Sequence, residues 1–214
     1  MNPQVKVKIC GLTRENDVDL ALDLGADFCG FIVYPNSPRG LSLERAFALS
    51  RRVPEGKRVL VDVAPSVQDL TRYRDAGFDY YQIHADVAVG LDSGPMWSNL
   101  VGRDHLWMAP RMKPETDFPP EILDLTDTVL LDTYHQGQIG GTGEVGDWAG
   151  FAKLKREHEQ INWILAGGLN AGNVLNAIDA TGADFVDVSS GVELEPGIKS
   201  SEKLSELFRM VKPA

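Results

Sequence analysis

The sequence predicts an α/β fold, a single-domain (β/α)8 TIM barrel over residues 1–214, and three observations carry that prediction. Short β-rich runs recur about every 25 residues, each followed by a stretch with helical character, the pattern of repeated βα units in a parallel sheet. Eight such units can be placed, the number that closes a barrel. The length of 214 residues matches an α/β barrel, which routinely uses roughly 200–250 residues as one domain. An open doubly wound sheet is the competing arrangement. No charged, Pro/Gly-rich or low-complexity stretch reads as a domain linker.

The first strand is predicted over Val5–Cys10, where Val5, Val7 and Ile9 alternate with Lys6, Lys8 and Cys10. After Thr13, residues Val18, Leu20, Ala21, Leu22 and Leu24 fall at near-helical spacing and stop at Gly25, suited to the position just past a helix end. Phe28–Val33 is the second strand and Ser42–Arg52 its helix; Arg58–Val63 and Ser66–Ala76 form the third unit. Tyr80–His84 and His105–Ala109 are the next strands, with short helices around Met96–Leu100 and Pro120–Leu125. Pro110–Pro120 reads as one long βα loop. Thr128–Asp132 is the sixth strand; the loop Thr133–Gly146 is too long for a simple connector, and a helix follows over Asp147–Glu157. Trp163–Ala166 with Asn170–Thr181, then Phe185–Ser189 with Ser201–Val211, complete the eight.

Composition narrows the partners. There are 21 Lys plus Arg against 31 Asp plus Glu, a formal charge of −10. That disfavours nucleic acid or an anionic membrane, since phosphate neutralisation needs clustered cations, but leaves a small anion admissible at a locally positive site. Cys10 and Cys29 are too few for a disulfide framework, and the start MNPQVKVK lacks the apolar stretch of a secretory signal. No run approaches the roughly 18–20 apolar residues of a membrane helix. A soluble cytoplasmic protein is expected.

In a barrel, function sits where strands end. Successive strand residues face opposite sides, and the outer face must be apolar to pack on helices. Lys6, Lys8 and Cys10 therefore point inward, as do Leu130 with Asp132 and Asp187 with Ser189. Buried ions need partners, so Lys8 is expected beside Asp187 or an inward-facing Asp62. Cys10 and Asp132, a thiol and a carboxyl group at one end of the barrel, form a candidate acid/base pair able to move protons on two sides of a substrate. The ammonium of Lys8 would favour the Cys10 thiolate. Cys29, between Phe28 and Gly30, reads as a structural cysteine.

Two glycine-rich turns follow the seventh and eighth strands: Gly167-Gly168, and Ser189-Ser190-Gly191. Together they form a candidate phosphate cradle of backbone N–H groups, placed where barrels frequently bind phosphate. Gly140-Gly141-Thr142-Gly143 reads as a lid or second cradle, with Gly141 and Gly143 as candidate contacts. Arg39, after the second strand, is the candidate for a carboxylate, because guanidinium presents a planar fork of donors. His84 could hydrogen-bond a substrate. No Cys/His cluster has zinc spacing, and no Walker A motif is present. Gly141–Gly146 matches G-x-G-x-x-G only in letters, since it lies well past a strand end. Neither a metal nor a cofactor is expected.

Several of these segments together are more specific than any alone. Lys8-Ile9-Cys10-Gly11-Leu12-Thr13, Gly30–Pro35 leading to Ser37-Pro38-Arg39, Gln82-Ile83-His84 and Leu131-Asp132-Thr133 resemble the phosphoribosylanthranilate isomerase family of tryptophan biosynthesis. So do Gly140–Gly143 with Asp147-Trp148, Ala166–Leu169, and Val186–Glu193. The resemblance spans nearly the whole chain in order. It implies a (β/α)8 barrel and a cofactor-free Amadori rearrangement of N-(5-phosphoribosyl)anthranilate to 1-(2-carboxyphenylamino)-1-deoxyribulose 5-phosphate. It makes Asp132 the general acid, Cys10 the general base, Arg39 the contact for the anthranilate carboxylate, and the turns of units 7 and 8 the phosphate site. A monomer or a homodimer is compatible with it. Departures fall at Asp62 and Ala64, where that family commonly reads V-F-V-N, at Ala85, where it usually has glycine, and at Met108, where lysine is frequent. They keep open a catalytically silent or altered-specificity phosphate-binding barrel. The related histidine-pathway isomerase is expected to use two aspartates, and Cys10 argues against it.

Overall fold

In the computed structural model, which describes residues 5–112, 117–132 and 147–212, eight parallel strands close on themselves in sequence order. They are β1 Lys6–Cys10, β2 Phe28–Ile32, β3 Arg58–Val63, β4 Tyr80–Asp86, β5 Leu106–Arg111, β6 Thr128–Asp132, β7 Asn162–Ala166 and β8 Phe185–Val188. The barrel shuts where β8 returns to β1, pairing Lys6 with Phe185 and Lys8 with Asp187. Closure excludes the open sheet.

The helices are α1 Glu15–Asp23, α2 Leu43–Ser50, α3 Val67–Asp75, α4 Val87–Val101, α5 Trp148–Glu157, α6 Val174–Thr181 and α7 Ser201–Val211. Side chains of Ser42, Ser66, Asp147 and Ser200 accept backbone N–H bonds at four of their starts, satisfying donors that the helix itself leaves unpaired. Two elements differ from expectation. α4 runs fifteen residues, far longer than Met96–Leu100, although Gly90, Gly94 and Pro95 lie inside it. Those residues lower helix propensity, yet the glycines let the helix press on Met108 and Leu125. The fifth connection is a 3₁₀ turn, Pro120–Asp124. An unexpected antiparallel pair, β9 Glu193–Glu195 and β10 Ile198–Lys199, flanks a Pro196-Gly197 turn. Among the described residues no helix is long and apolar enough to cross a membrane.

Alternation divides the strand side chains into two layers. Val7, Ile9, Cys29, Phe31, Leu60, Ile83, Met108, Val129, Leu165 and Val186 pack outward under the helices. Cys10, Val59, Val61, Trp107, Leu130, Ile164 and Phe185 fill the barrel. Asp62 therefore does not point inward. With Val59 and Val61 inside, it falls on the helix side beside Leu60, where it accepts hydrogen bonds from Tyr73 Oη and from the backbone N–H of Val63, both at 2.8 Å. Burial pushes its carboxyl above the usual range. Ala85 and Met108 lie in the same outer layer, packed near Gly90 of α4, so these departures face helices and not the lumen.

Candidate active site

The strand ends assemble a polar mouth over this apolar barrel. Cys10 closes β1 at only 5% exposure. Its Sγ and the Lys8 ammonium both lie over Gly30, each 3.0 Å from where a β-carbon there would sit. Any larger residue would push one of them away. Lys8, fully buried, pairs with Asp187 at 2.8 Å. Burial opposes the Lys8 charge, but Asp187 and the Cys10 sulfur more than offset it, so the ammonium persists.

The thiol behaves differently from expectation. Burial pushes Cys10 above the ordinary thiol value, and Lys8 pulls it down without prevailing. The resting side chain is the thiol, because desolvation of an anion outweighs one neighbouring cation already shared with Asp187. Cys29, in the outer layer, is pushed up to about 12 by burial, in keeping with an inert core role.

On the opposite side, Asp132 ends β6 and is exposed. It lines a cleft with His84, Leu130, Asp187 and the turns after β7 and β8. Gly167, Gly168, Ser189, Ser190 and Gly191 all border this cleft. The two turns meet at Gly191, where a β-carbon would overlap the carbonyl of Leu169. Only glycine permits that approach. His84, on β4, is pushed down to about 4 by burial and by the charges of Lys8 and Arg111, which leaves the imidazole neutral at neutral pH. Its Nε2 lies 2.8 Å from Gln82 Nε2, and the neutral ring accepts there from the amide. Gln82 Oε1, buried in the barrel, has no hydrogen-bond partner among the described residues. Gly141 and Gly143 lie outside the described residues.

Arg39 reaches the mouth but is not an isolated fork. Its Nε and Nη2 grip Glu193 at 2.8 and 2.5 Å, and its stem crosses Gly11, which has φ 73° and no room for a β-carbon beside Arg39 Cδ. Glu193 also receives Lys199 at 2.8 Å. Burial opposes the Glu193 charge, but its two cations hold its carboxyl below the usual range. Burial draws the Lys199 ammonium down, and it still donates to the carbonyls of Cys10 at 2.6 Å and Ser189 at 3.1 Å. One buried lysine thus ties the end of β1 to the turn after β8. Sequence reasoning missed Glu193 and Lys199 as site residues; the signal was a Glu and a Lys flanking Pro196-Gly197, the hairpin that brings them together.

Residues 7–210 match the family model described as N-(5'phosphoribosyl)anthranilate (PRA) isomerase. The chain belongs to the phosphoribosylanthranilate isomerase family. It is accordingly an isomerase of tryptophan biosynthesis. It is 37% identical over 215 residues to the N-(5'-phosphoribosyl)anthranilate isomerase of Thiobacillus denitrificans, covering 97% of this chain and 98% of that one. It is also similar to a crystal structure of phosphoribosyl anthranilate isomerase in complex with reduced 1-(o-carboxyphenylamino)-1-deoxyribulose 5-phosphate, with TM-score 0.76, 27% identity, and coverage of 98% and 100%. Monomers generated from the dimeric enzyme of Thermotoga maritima give TM-score 0.80 and 28% identity, again over 98% and 100% of the chains. Both assembly states therefore occur among relatives.

Proposed function

We propose that this chain carries out the Amadori rearrangement of N-(5-phosphoribosyl)anthranilate with Asp132 as general acid and Cys10 as general base. The observation that carries the reading is their placement at the ends of β6 and β1, on one mouth, with the glycine-rich turns of β7 and β8 beside them. The turns hold the phosphate through backbone N–H groups, with Gly141 and Gly143 as a further cradle. Asp132 gives its proton to the ribose ring oxygen; the C1–O bond breaks and the open chain becomes a protonated Schiff base. Cys10, after its resting thiol has lost a proton to solvent, takes the proton from C2 as the thiolate, and the electron pair left behind forms the enolamine. Tautomerisation to the ketone gives 1-(2-carboxyphenylamino)-1-deoxyribulose 5-phosphate. Lys8 supports the thiolate against the cost of its burial, and Asp187 holds Lys8 in place at the cleft floor. His84 contacts the ribose as a neutral imidazole, and Arg39 faces the anthranilate carboxylate. Each step is a proton transfer or a bond rearrangement within the substrate, with no external electron donor or acceptor, so the chemistry calls for no metal and no cofactor.

The net charge of −10 argues against nucleic acid or a membrane and leaves a small phosphorylated ligand admissible where the backbone N–H groups of the β7 and β8 turns converge. We place the chain in the cytoplasm, as one domain acting as a monomer or homodimer. The test is a fluorescence assay of substrate loss. Cys10→Ala and Asp132→Asn should each lower kcat by about 10²–10⁴-fold, the usual yield of general acid or base catalysis, with circular dichroism unchanged. A folded variant that keeps wild-type turnover would remove that residue from its role.

A further inference from the structure

Arg39 sits on a tight turn after β2. Its backbone N–H donates to Ser37 Oγ at 3.2 Å, and the N–H of Gly40 donates to the carbonyl of Ser37 at 2.9 Å. Those bonds fix the backbone, but the guanidinium stands at the end of a long flexible stem that the turn alone does not order. Glu193 supplies the missing restraint. Its carboxylate takes the side edge of the guanidinium, with Nε at 2.8 and 3.1 Å and Nη2 at 2.5 Å. The end edge is left over, and among the described residues Nη1 donates no hydrogen bond. Glu193 is itself only 6% exposed and is fixed by its hairpin: Lys199 pairs with it at 2.8 Å, and the N–H of Gly197 donates to Oε1 at 3.2 Å. Thr13 Oγ1 ties that hairpin to the loop after β1, donating to the carbonyl of Gly197 at 2.5 Å.

We infer that Glu193 is a positioning residue for substrate recognition: it grips the side edge of Arg39 so that the end edge is presented, already oriented, to the carboxylate of the substrate's aryl group. The inference rests on the isomerase reading, with Arg39 as the carboxylate contact. A carboxylate paired bidentately with a guanidinium occupies one edge of the plane, so Glu193 and the substrate use different edges of Arg39. A guanidinium clamped beforehand has little freedom left to lose when the ligand arrives. Lys199 keeps the clamp from cancelling the attraction, because two cations stand against the one anion of Glu193. Glu193 touches no substrate atom in this arrangement and acts through Arg39.

The test compares phosphoribosylanthranilate with the phosphoribosyl adduct of aniline, which lacks the carboxylate. Glu193→Asp keeps the charge but withdraws it by one methylene, which separates orientation from electrostatics. KM for phosphoribosylanthranilate should rise by about 2- to 10-fold, the cost of ordering one released side chain on binding, with kcat changed little. KM for the aniline adduct should not move. In an Arg39→Ala background, Glu193→Asp should add nothing on either substrate, because the two residues act as one unit. Should Glu193→Asp fail to fold, Arg39→Lys serves: a point charge lacks the second edge, so KM should rise on phosphoribosylanthranilate alone. Equal losses on both substrates, a further loss in the Arg39→Ala background, or an unchanged KM in either folded variant overturns the inference. Equal wild-type KM for the two substrates would remove the carboxylate from recognition, and the inference with it. Absence of wild-type turnover on both would overturn the isomerase reading itself and everything resting on it.

Discussion

The two mouths of the barrel are built from different chemistry. At the N-terminal ends of the strands, Phe28, Tyr80, Trp107 and Phe185 form an aromatic plug, with ring centroids 4.8–5.6 Å apart in stacked and edge-on pairs. At the C-terminal ends stand the buried Cys10 thiol beside the Lys8–Asp187 pair, the Arg39–Glu193 pair, and a cleft bordered by Asp132, His84, Asp187 and Arg111. One end removes aromatic surface from water and fixes the strands. The other spends that rigidity on groups that are costly to bury. The division predicts that stability and turnover respond to separate substitutions.

The largest effect on stability should come from the plug. Trp107 is buried and touches three aromatic neighbours, so Trp107→Ala should cost about 3–5 kcal/mol through lost burial and an unfilled cavity. For a chain of this size that corresponds to a fall in Tm of roughly 10 °C. Calorimetry should record that fall while KM, measured well below the transition, stays within a few-fold of wild type. A Tm within a degree or two of wild type would mean that the plug does not carry the barrel.

A second contrast is drawn by pH. The His84 imidazole titrates near 6.5 in an unfolded chain and near 4 in the fold, lowered by burial, Lys8 and Arg111. Between those values the unfolded state binds a proton that the native state refuses, so this group makes stability fall as pH drops from about 6.5 to about 4. Denaturant titrations of wild type and His84→Gln should differ in slope across that window and run parallel above it. On the alkaline side the Cys10 thiol, raised by burial, should make kcat/KM climb with pH to a limb above the ordinary thiol value of 9.0. A limb below it would show that Lys8, not burial, governs the base.

Much of this mouth is legible in the sequence because period-2 alternation assigns sides. Lys8, Cys10, Asp132 and Asp187 follow from apolar neighbours that need the outer face, and β3 and β6 have their predicted bounds. The same rule fails for Asp62, since Val59-Leu60-Val61 is apolar on both faces and alternation has no sign there. α4 is obscured because Gly90 and Gly94 serve packing at the expense of propensity. β9 and β10 are too short to show a pattern. Arg39–Glu193 joins residues 154 positions apart, and no local spacing signals such a pair. The protonation of Cys10 turns on the degree of burial weighed against Lys8, a balance fixed only by the closed barrel.

The smallest predicted effect tests whether a departure from the family pattern is a backbone matter. Ala64 follows β3 at φ 43°, with its N–H bonded to the carbonyl of His84 at 2.9 Å. An L-residue with a β-carbon pays about 1–2 kcal/mol in the left-handed region, whereas asparagine, which the family commonly carries here, enters it more readily. The side chain is exposed, so Ala64→Asn meets no packing barrier. It should stabilise the fold by about 0.5–1 kcal/mol and raise Tm by roughly 1–4 °C. Ala64→Val, β-branched in the same conformation, should lower it. The strain argument fails if both variants melt with the wild type; a faster Ala64→Asn enzyme at equal Tm would mean instead that this position acts on the neighbouring His84 and the reaction, not on the backbone.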